Sequence, residues 1–229
     1  MRYRMVLNHM KKIFLSLLSA AALFSVTKAQ APLSLPFNVI DTNYTGAEFR
    51  VPSNFKSKLL FSGNVNYVHN LKTGDSALSK QNHDYLYYLP INGSSSHGYI
   101  VVNHEITNAK NAILGDGGGM TVFEVKKDSK GDWGVVGKFK NVDFSKVGGT
   151  NVNCGGAHTP WGTALTAEEY PQGSNAGLFA NGNGIQDTAD WTIPAGNGIY
   201  SGSTIKKFEN YGWMVEIDLA SATGLRKLY

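Results

Sequence analysis

Short apolar runs separated by polar turn clusters dominate the chain beyond residue 30. The runs are rich in β-branched and aromatic residues, and clusters such as Asn92-Gly93-Ser94 lie between them. This alternation is typical of β-strands, because pleated and half-buried positions favour such side chains. It predicts strands over Lys58–Ser62, Tyr85–Leu89, Tyr99–Asn103, Thr121–Lys126, Val135–Phe139, Thr163–Thr166, Thr204–Phe208 and Trp213–Ile217.

No segment after residue 30 sustains a helical period, so the sequence predicts an all-β fold. Strands of this length and spacing suit a sandwich, a barrel or a propeller, and no clear internal repeat chooses among them. The polar segment Lys127–Asp132 predicts a hairpin between two strands, and the Gly- and Asn-rich stretch from Pro171 to Pro194 predicts a long loop. The segment Leu219–Tyr229 indicates the start of a further strand.

The N-terminus has a different character. Four basic residues within the first twelve positions precede the apolar run Ile13–Val26, and Thr27-Lys28-Ala29 then offers the small residues that a signal peptidase reads. This predicts a signal peptide over residues 1–29 and cleavage before Gln30. The alternative is an uncleaved membrane anchor, although the run is shorter than the ~20 residues that a spanning helix needs. We therefore expect a periplasmic or secreted protein with no stable membrane insertion after cleavage.

Charge and cysteine content narrow the possible partners. The 229-residue chain has a net charge of +4, but residues 1–30 hold five basic and no acidic side chains, and subtracting these five leaves −1 for the rest. No basic face then remains to indicate a nucleic-acid partner. The single cysteine, Cys154, excludes an internal disulfide. A lone thiol in an exported protein is buried, paired to another chain, or bound to a metal.

Candidate ligands cluster in the segment Asn153–Glu169. It combines Cys154, a glycine pair, a Pro-Trp-Gly-Thr turn and the adjacent carboxylates Glu168 and Glu169. A thiolate is a strong ligand for iron or zinc, although Cys154 could equally be a small buried residue in a turn. Adjacent residues of a strand point to opposite faces, so at most one of the two carboxylates faces a given site, and a solvated pair is the simpler reading. His158 is a further possible ligand, but an exposed turn histidine is the simpler expectation.

Other acidic positions are weaker candidates when taken alone. Asn103-His104-Glu105 ends an apolar strand, where the Glu105 carboxylate would suit a hard cation such as Ca²⁺. Asp84 is either a ligand or a turn cap, and the cap is the safer interpretation. Glu216, in the predicted strand around Val215, is either a surface residue or an inward ligand. No Gly-x-Ser-x-Gly motif supplies a serine nucleophile.

The Cys154 segment resembles the signature of the PhoX-type alkaline phosphatases, whose usual form is Asn-Cys-x-Gly-Gly-x-Thr-Pro-Trp-Gly-Thr-x-Leu-Thr-Cys-Glu-Glu. Ala167 replaces the second cysteine, and His158 stands where the family is often apolar. Asn103-His104-Glu105 and Tyr211–Asp218 resemble further family motifs in the same order. The resemblance implies a β-propeller with long loops, of which residues 30–229 form the N-terminal part.

The resemblance also implies a function and a ligand set. Its members are exported phosphatases that release phosphate from small phosphomonoesters with a mixed iron–calcium cluster. On this basis Cys154 would hold iron, and four carboxylates would hold iron or calcium, namely Glu105, Glu168, Glu169 and Glu216. Because family members continue beyond this length, we expect this chain alone to catalyse poorly. The alternatives are a non-enzymatic exported Ca²⁺-binding β-protein and a different metal-dependent esterase.

Overall fold

The computed structural model describes residues 38, 45–46, 49–106, 111–115, 117–169, 189–196 and 200–228. The predicted signal peptide, and with it the expected signal helix, lies outside these residues, as does most of the predicted loop. The chain divides into two units, residues 1–57 and 58–229. In the first unit, the Asn38 side-chain amide donates to Ser53 Oγ at 2.7 Å. All the strands given below belong to the second unit.

The described residues contain twelve strands and short 3₁₀ helices, so the all-β prediction is confirmed. The 3₁₀ helices are Ile91–Gly93, Ser145–Val147 and Lys207–Asn210. The strands are β1 Tyr67–Asn70, β2 Ser76–Leu78, β3 His83–Pro90, β4 His97–His104, β5 Met120–Lys127, β6 Trp133–Asn141, β7 Asn153–His158, β8 Ala164–Glu168, β9 Asp190–Thr192, β10 Thr204–Lys206, β11 Met214–Asp218 and β12 Thr223–Leu228. In the described part of the chain, no helix is long and apolar enough to cross a bilayer.

Two mainly antiparallel sheets form the body of the second unit. One sheet has the order β2-β1-β6-β5-β4-β3, in which β3 to β6 run antiparallel and β1 pairs parallel with β6. The other has the order β12-β11-β8-β7 and is antiparallel throughout. A four-stranded antiparallel meander is the sheet of a propeller blade, the architecture that the family resemblance implies. The strands described here do not close into a barrel.

The main hydrophobic core lies between these two sheets. Val101, Met120 and Val122 of the first sheet join Val215 and Ile217 of the second in one buried cluster. The other face of the first sheet covers a second cluster that contains Val102 and Phe123. Both faces of β4 are therefore buried, which explains its unbroken apolar run Ile100-Val101-Val102.

Three predicted segments differ from the structure. Lys58–Ser62 is not a strand, because Ser62 N bonds the Asn66 side chain instead of a neighbouring strand, while Leu60 and Phe61 still pack on the second core cluster. The Gly- and Asn-rich stretch predicted as a loop contains β9, which pairs with β10. The strand predicted over Thr204–Phe208 ends at Lys206, where a 3₁₀ helix begins. The predicted hairpin between β5 and β6 is confirmed.

Candidate metal centre

Four acidic or thiol side chains from both sheets meet at one place. Asp84 of β3, Glu105 just after β4 and Cys154 of β7 have ligand atoms that all lie within 4.8 Å of one another. The Cys154 thiol donates to Asp84 Oδ2 at 2.7 Å. Glu169, just after β8, lies close enough to Glu105 to raise the pKa of the Glu105 carboxyl group. We call Asp84, Glu105, Cys154 and Glu169 the acidic cluster.

Irregular strand pairing aims these side chains at one another. The register of β3 against β4 shifts between His83 and Leu86, and the register of β7 against β8 shifts between Asn153 and Gly156. Such bulges redirect side chains and are frequent next to functional sites. Asp84 and Cys154 lie within these two irregular stretches.

A buried asparagine fixes the backbone at the thiol. The Asn103 side-chain amide donates to the carbonyl oxygens of Cys154 at 2.7 Å and Gly155 at 2.8 Å. Its oxygen accepts the Thr166 hydroxyl at 3.0 Å. Asn103 is fully buried, so these bonds satisfy a group that would be costly to leave unpaired. The position of Cys154 is thus set by β4 as well as by its own strand.

Val152 adopts an unusual backbone conformation beside the cluster. Its φ of 47° is in the left-handed region, which is strained for a β-branched residue and costs on the order of 1–3 kcal/mol. In this conformation Val152 accepts the Glu169 amide at 3.0 Å and donates to Ile106 O at 3.3 Å. The strained turn therefore brings together the two segments that carry Glu105 and Glu169.

Burial, hydrogen bonding and nearby negative charge all raise the pKa values of Glu105 and Cys154 in the acidic cluster. Desolvation raises the pKa of Glu105, and the nearby Glu169 and Asp84 raise it further. The hydrogen bond to Asp84, followed by burial and the surrounding negative charge, raises the pKa of Cys154 to about 11. Within the described residues no Lys or Arg forms a salt bridge to these carboxylates. A bound cation would supply the missing positive charge and displace the thiol proton.

The other two predicted ligands lie in different surroundings. Glu168 is buried in an ion pair with Lys227, at 3.1 Å, and its carboxylate accepts the backbone amide of Asn151 at 2.8 Å. Burial raises the pKa of Glu168 even though the ammonium of Lys227 opposes this shift. Glu168 and Glu169 thus point to different sides, as strand geometry predicts. The structure does not bring Glu168 to the acidic cluster.

Glu216 is only 2% exposed, and its carboxylate is already fully engaged. It accepts Trp161 Nε1 and Thr163 Oγ1, each at 2.7 Å, and forms an ion pair with Arg226 at 2.7 Å. Burial raises the pKa of Glu216, but these three donors outweigh it and leave the pKa below its ordinary value. Glu216 therefore holds the Pro-Trp-Gly-Thr turn in place.

Two histidines close to the motifs have other partners. His104 is buried, with Nε2 at 2.9 Å from Thr121 Oγ1 and Nδ1 at 3.3 Å from the carbonyl oxygen of Gln81. Because a carbonyl only accepts, Nδ1 carries the proton and Nε2 accepts the threonine hydroxyl. His158 is exposed at the end of β7, as expected, and stacks on Tyr87 with a ring distance of 4.5 Å.

Asp84 is the cluster member that sequence reasoning favoured as a turn cap. Its carboxylate accepts the Cys154 thiol, although the two residues are 70 positions apart in the chain. The signal that could have found it was its place at the start of a strand, in the motif Asn82-His83-Asp84 that resembles the family's acidic strand start. The contact between β3 and β7, which belong to different sheets, was not visible in the sequence.

The all-β fold and the acidic cluster, with its cysteine, define a candidate metal-binding protein. Residues 37–226 match the family "Alkaline phosphatase PhoX", and the chain belongs to this family. Among solved structures, it is similar to Pseudomonas fluorescens PhoX in complex with vanadate, a transition-state analogue. The identity is 18% and the TM-score 0.42, over 64% of this chain and 34% of that one. The chain thus spans about a third of the PhoX chain. No curated protein sequence matches.

Proposed function

We propose that this chain belongs to an exported metal-dependent phosphatase that hydrolyses small phosphomonoesters with an iron–calcium cluster. The observation that carries the proposal is the meeting of one thiol and three carboxylates, from both sheets, in a member of the PhoX family. The donor set fits such a cluster, because sulfur and carboxylate together suit iron and carboxylates alone suit Ca²⁺.

We assign the metal ligands to the acidic cluster. Cys154 would hold iron, and Asp84, Glu105 and Glu169 would hold iron or calcium. When bound, such ions neutralise phosphate oxygens and activate an oxygen nucleophile. Asn103 positions the Cys154 backbone, and Val152 joins the Glu105 and Glu169 segments. The ligand roles predicted for Glu168 and Glu216 are not included, because these two carboxylates are committed to ion pairs.

The proposed activity belongs to the whole family protein. Because this chain spans about a third of the PhoX chain to which it is similar, we propose that it holds metal and that residues elsewhere complete the catalytic site. The 229-residue chain alone is then expected to release phosphate much more slowly than a whole family member. A rate typical of the family would contradict this.

Metal content of the purified chain tests the assignment. We expect iron and calcium in the parent, loss of iron in Cys154→Ser, and at least a tenfold loss of metal affinity in Asp84→Asn. Asp75→Asn, a carboxylate next to the β1–β2 turn, is the matched control and should keep its metals. Release of phosphate from a phosphomonoester is measured on each variant. Iron content that is equal in the parent and Cys154→Ser would overturn the assignment.

An exported Ca²⁺-binding β-protein without enzymatic activity is the second candidate. Three carboxylates within one cluster favour it, since Ca²⁺ needs oxygen ligands and no thiolate. It predicts calcium binding that is equal in the parent and Cys154→Ser, together with no iron and no phosphate release. Calcium titration of both proteins therefore separates the two candidates.

Export is tested separately from metal binding. We propose cleavage before Gln30 and a periplasmic or secreted location, on the basis of the basic and apolar pattern of residues 1–29. Mass spectrometry of the protein from fractionated cells should find an N-terminus at Gln30 outside the cytoplasm. Intact residues 1–29 on a cytoplasmic protein would contradict the proposal.

A further inference from the structure

Three aromatic rings continue the interface between β3 and β7 away from the acidic cluster. The Tyr85 ring lies so close to Gly156 that a Cβ there would be 2.5 Å from Tyr85 Cδ1. The rings of Tyr85 and Tyr87 are parallel within 3°, with centroids 6.0 Å apart. The rings of Tyr87 and His158 are 4.5 Å apart at 14°, and Tyr87 Oη lies 3.3 Å from His158 Nε2. We call Tyr85, Tyr87 and His158 the aromatic ladder.

The ladder begins beside the acidic cluster. Along the two strands, Asp84 contacts Cys154, Tyr85 contacts Gly156, and Tyr87 contacts His158. From Gly156 onward β7 pairs regularly with β8, so Gly156 and His158 share one face, and Cys154 lies in the bulge just before them. At about 3.3 Å per residue, the Cα of His158 lies about 7 Å from that of Gly156, and the bulge that carries Cys154 adjoins Gly156 on the other side.

Packing explains only the inner part of the ladder. Tyr85 and Tyr87 are half-buried against the main core cluster, whereas His158 is exposed. An exposed imidazole that stacks on a half-buried phenol leaves an aromatic surface open to solvent. Flat aromatic surfaces of this kind bind other flat rings by offset stacking, with little dependence on the identity of the ring.

We propose that the aromatic ladder binds the base of a nucleoside monophosphate whose phosphate lies at the acidic cluster. This inference rests on the proposed phosphatase function and specifies its substrate class. In the reaction, the bond between phosphorus and the ester oxygen breaks, water supplies the new oxygen on phosphorus, and the nucleoside leaves with a proton. The ladder contributes binding of the leaving nucleoside, so it acts on KM and not on the bond-breaking step.

Three phosphomonoesters and three variants of the metal-loaded full chain test the proposal. Adenosine 5′-monophosphate carries a distant ring, phenyl phosphate a ring next to the phosphate, and glycerol 3-phosphate none. KM is measured for an ester that is hydrolysed, and Kd by calorimetry for one that is not. We expect the parent to prefer adenosine 5′-monophosphate to glycerol 3-phosphate by about three- to tenfold.

The variants locate the preference on the ladder. His158→Ala should abolish the preference for adenosine 5′-monophosphate and leave phenyl phosphate unchanged, because the ring of phenyl phosphate reaches only the Tyr85 end. His158→Phe keeps a ring and should keep the preference. Tyr67→Ala removes an exposed aromatic residue of β1 and is the matched control. No preference in the parent, or an unchanged preference in His158→Ala, overturns the ladder assignment.

The outcomes also separate this inference from the proposed function. If the metal-loaded chain hydrolyses all three esters without preference, the ladder assignment fails and the phosphatase function stands. If the chain binds adenosine 5′-monophosphate preferentially through His158 but takes up no iron that depends on Cys154, the ladder assignment stands as a binding site and the proposed iron–calcium phosphatase function fails.

Discussion

His104 is enclosed at the strand end that carries Glu105, and its environment makes a charged imidazole unfavourable. Burial, followed by the positive charges of Lys80 and His83, lowers the pKa of His104 to about 3. The unfolded chain has a histidine pKa of about 6.5, so between these values it binds more protons than the folded protein. Stability from His104 is therefore complete above pH 6.5 and declines as the pH falls towards 3, by up to about 5 kcal/mol.

Urea unfolding of the chelator-treated protein at pH 7 and pH 5 measures this effect. In His104→Gln the side chain cannot become charged, so the expected loss of about 2 kcal/mol from this residue between the two pH values should disappear. The carboxylates that titrate in this range contribute to the free energy of unfolding of both proteins, so the difference between the variant and the parent isolates the effect of His104. The same acid loss in both proteins would show that His104 is not responsible.

The two glycines after Cys154 predict a sharp contrast between neighbouring substitutions. A Cβ at Gly156 would lie 2.7 Å from Leu165 O and 2.5 Å from the Tyr85 ring, whereas a Cβ at Gly155 meets nothing within 4 Å. We expect Gly156→Ala to lower the free energy of unfolding by about 1–3 kcal/mol and Gly155→Ala to change it by less than about 0.5 kcal/mol. Chemical denaturation of both variants measures the difference, and equal effects would contradict it.

At this scale the sequence predicted five metal ligands, and the structure brings three of them close together. Motif resemblance indicated Cys154, Glu105 and Glu169, and the structure places these three together. It did not separate Glu169 from Glu168, because which of two adjacent carboxylates faces the cluster depends on the buried partner Lys227, 59 residues away. The place of Asp84 in the cluster could not be predicted for a similar reason, because it depends on a contact between the two sheets.

Among the elements, β8 and β12 lie on either side of β11, and a buried ion pair between Glu168 and Lys227 joins them. Lys227 Nζ lies 3.1 Å from Glu168 Oε2 and also donates to the carbonyl oxygen of Asn210, and both charged side chains are almost completely buried. Lys227→Met should leave an uncompensated Glu168 and cost about 3–5 kcal/mol. In Glu168→Gln/Lys227→Met no charge remains, so part of this loss should be recovered.

A double-mutant cycle by urea denaturation tests the pair. The two single variants and the double variant should be strongly non-additive, with an interaction energy of about 1–3 kcal/mol. Additive losses would show that Lys227 stabilises the sheet through Asn210 and its contact with the Tyr211 ring rather than through Glu168.

The strands that the sequence predicted are those with β-branched or aromatic runs, such as β4 and β5. β7 was missed as a strand because Asn153-Cys154-Gly155-Gly156-Ala157-His158 contains no residue that favours a strand by itself. Its conformation comes from pairing with β8 and from the Asn103 side chain. Lys58–Ser62 shows the opposite error, a predicted strand that the structure lacks. Its apolar residues Leu60 and Phe61 are packed on the core without joining a sheet.

For the molecule as a whole, the acidic cluster predicts that metal links the two sheets. Asp84 and Glu105 belong to the first sheet and its adjoining loop, and Cys154 and Glu169 to the second. Cations at 100 times their dissociation constant should stabilise the protein by about 2.7 kcal/mol, which raises the unfolding midpoint by about 5–10 °C. Thermal unfolding with metal and with chelator measures this shift.

Asp84→Asn removes one ligand and should lose most of the metal-dependent shift, while Asp75→Asn should retain it. A midpoint that does not change between metal and chelator in the parent would mean that no cation bridges the sheets. This readout does not depend on catalysis, so it applies to the present chain whether or not it is active.

The Asn103 side chain has a consequence for the order in which the two sheets fold. Among the described residues, the partners of its amide and its oxygen all lie on β7 and β8, while its backbone belongs to β4. A folding intermediate with the first sheet alone would bury an amide without partners or leave it in water, and either state lacks the contacts that seal the core. The two sheets should therefore form cooperatively, and the metal ligands would come together in the same step.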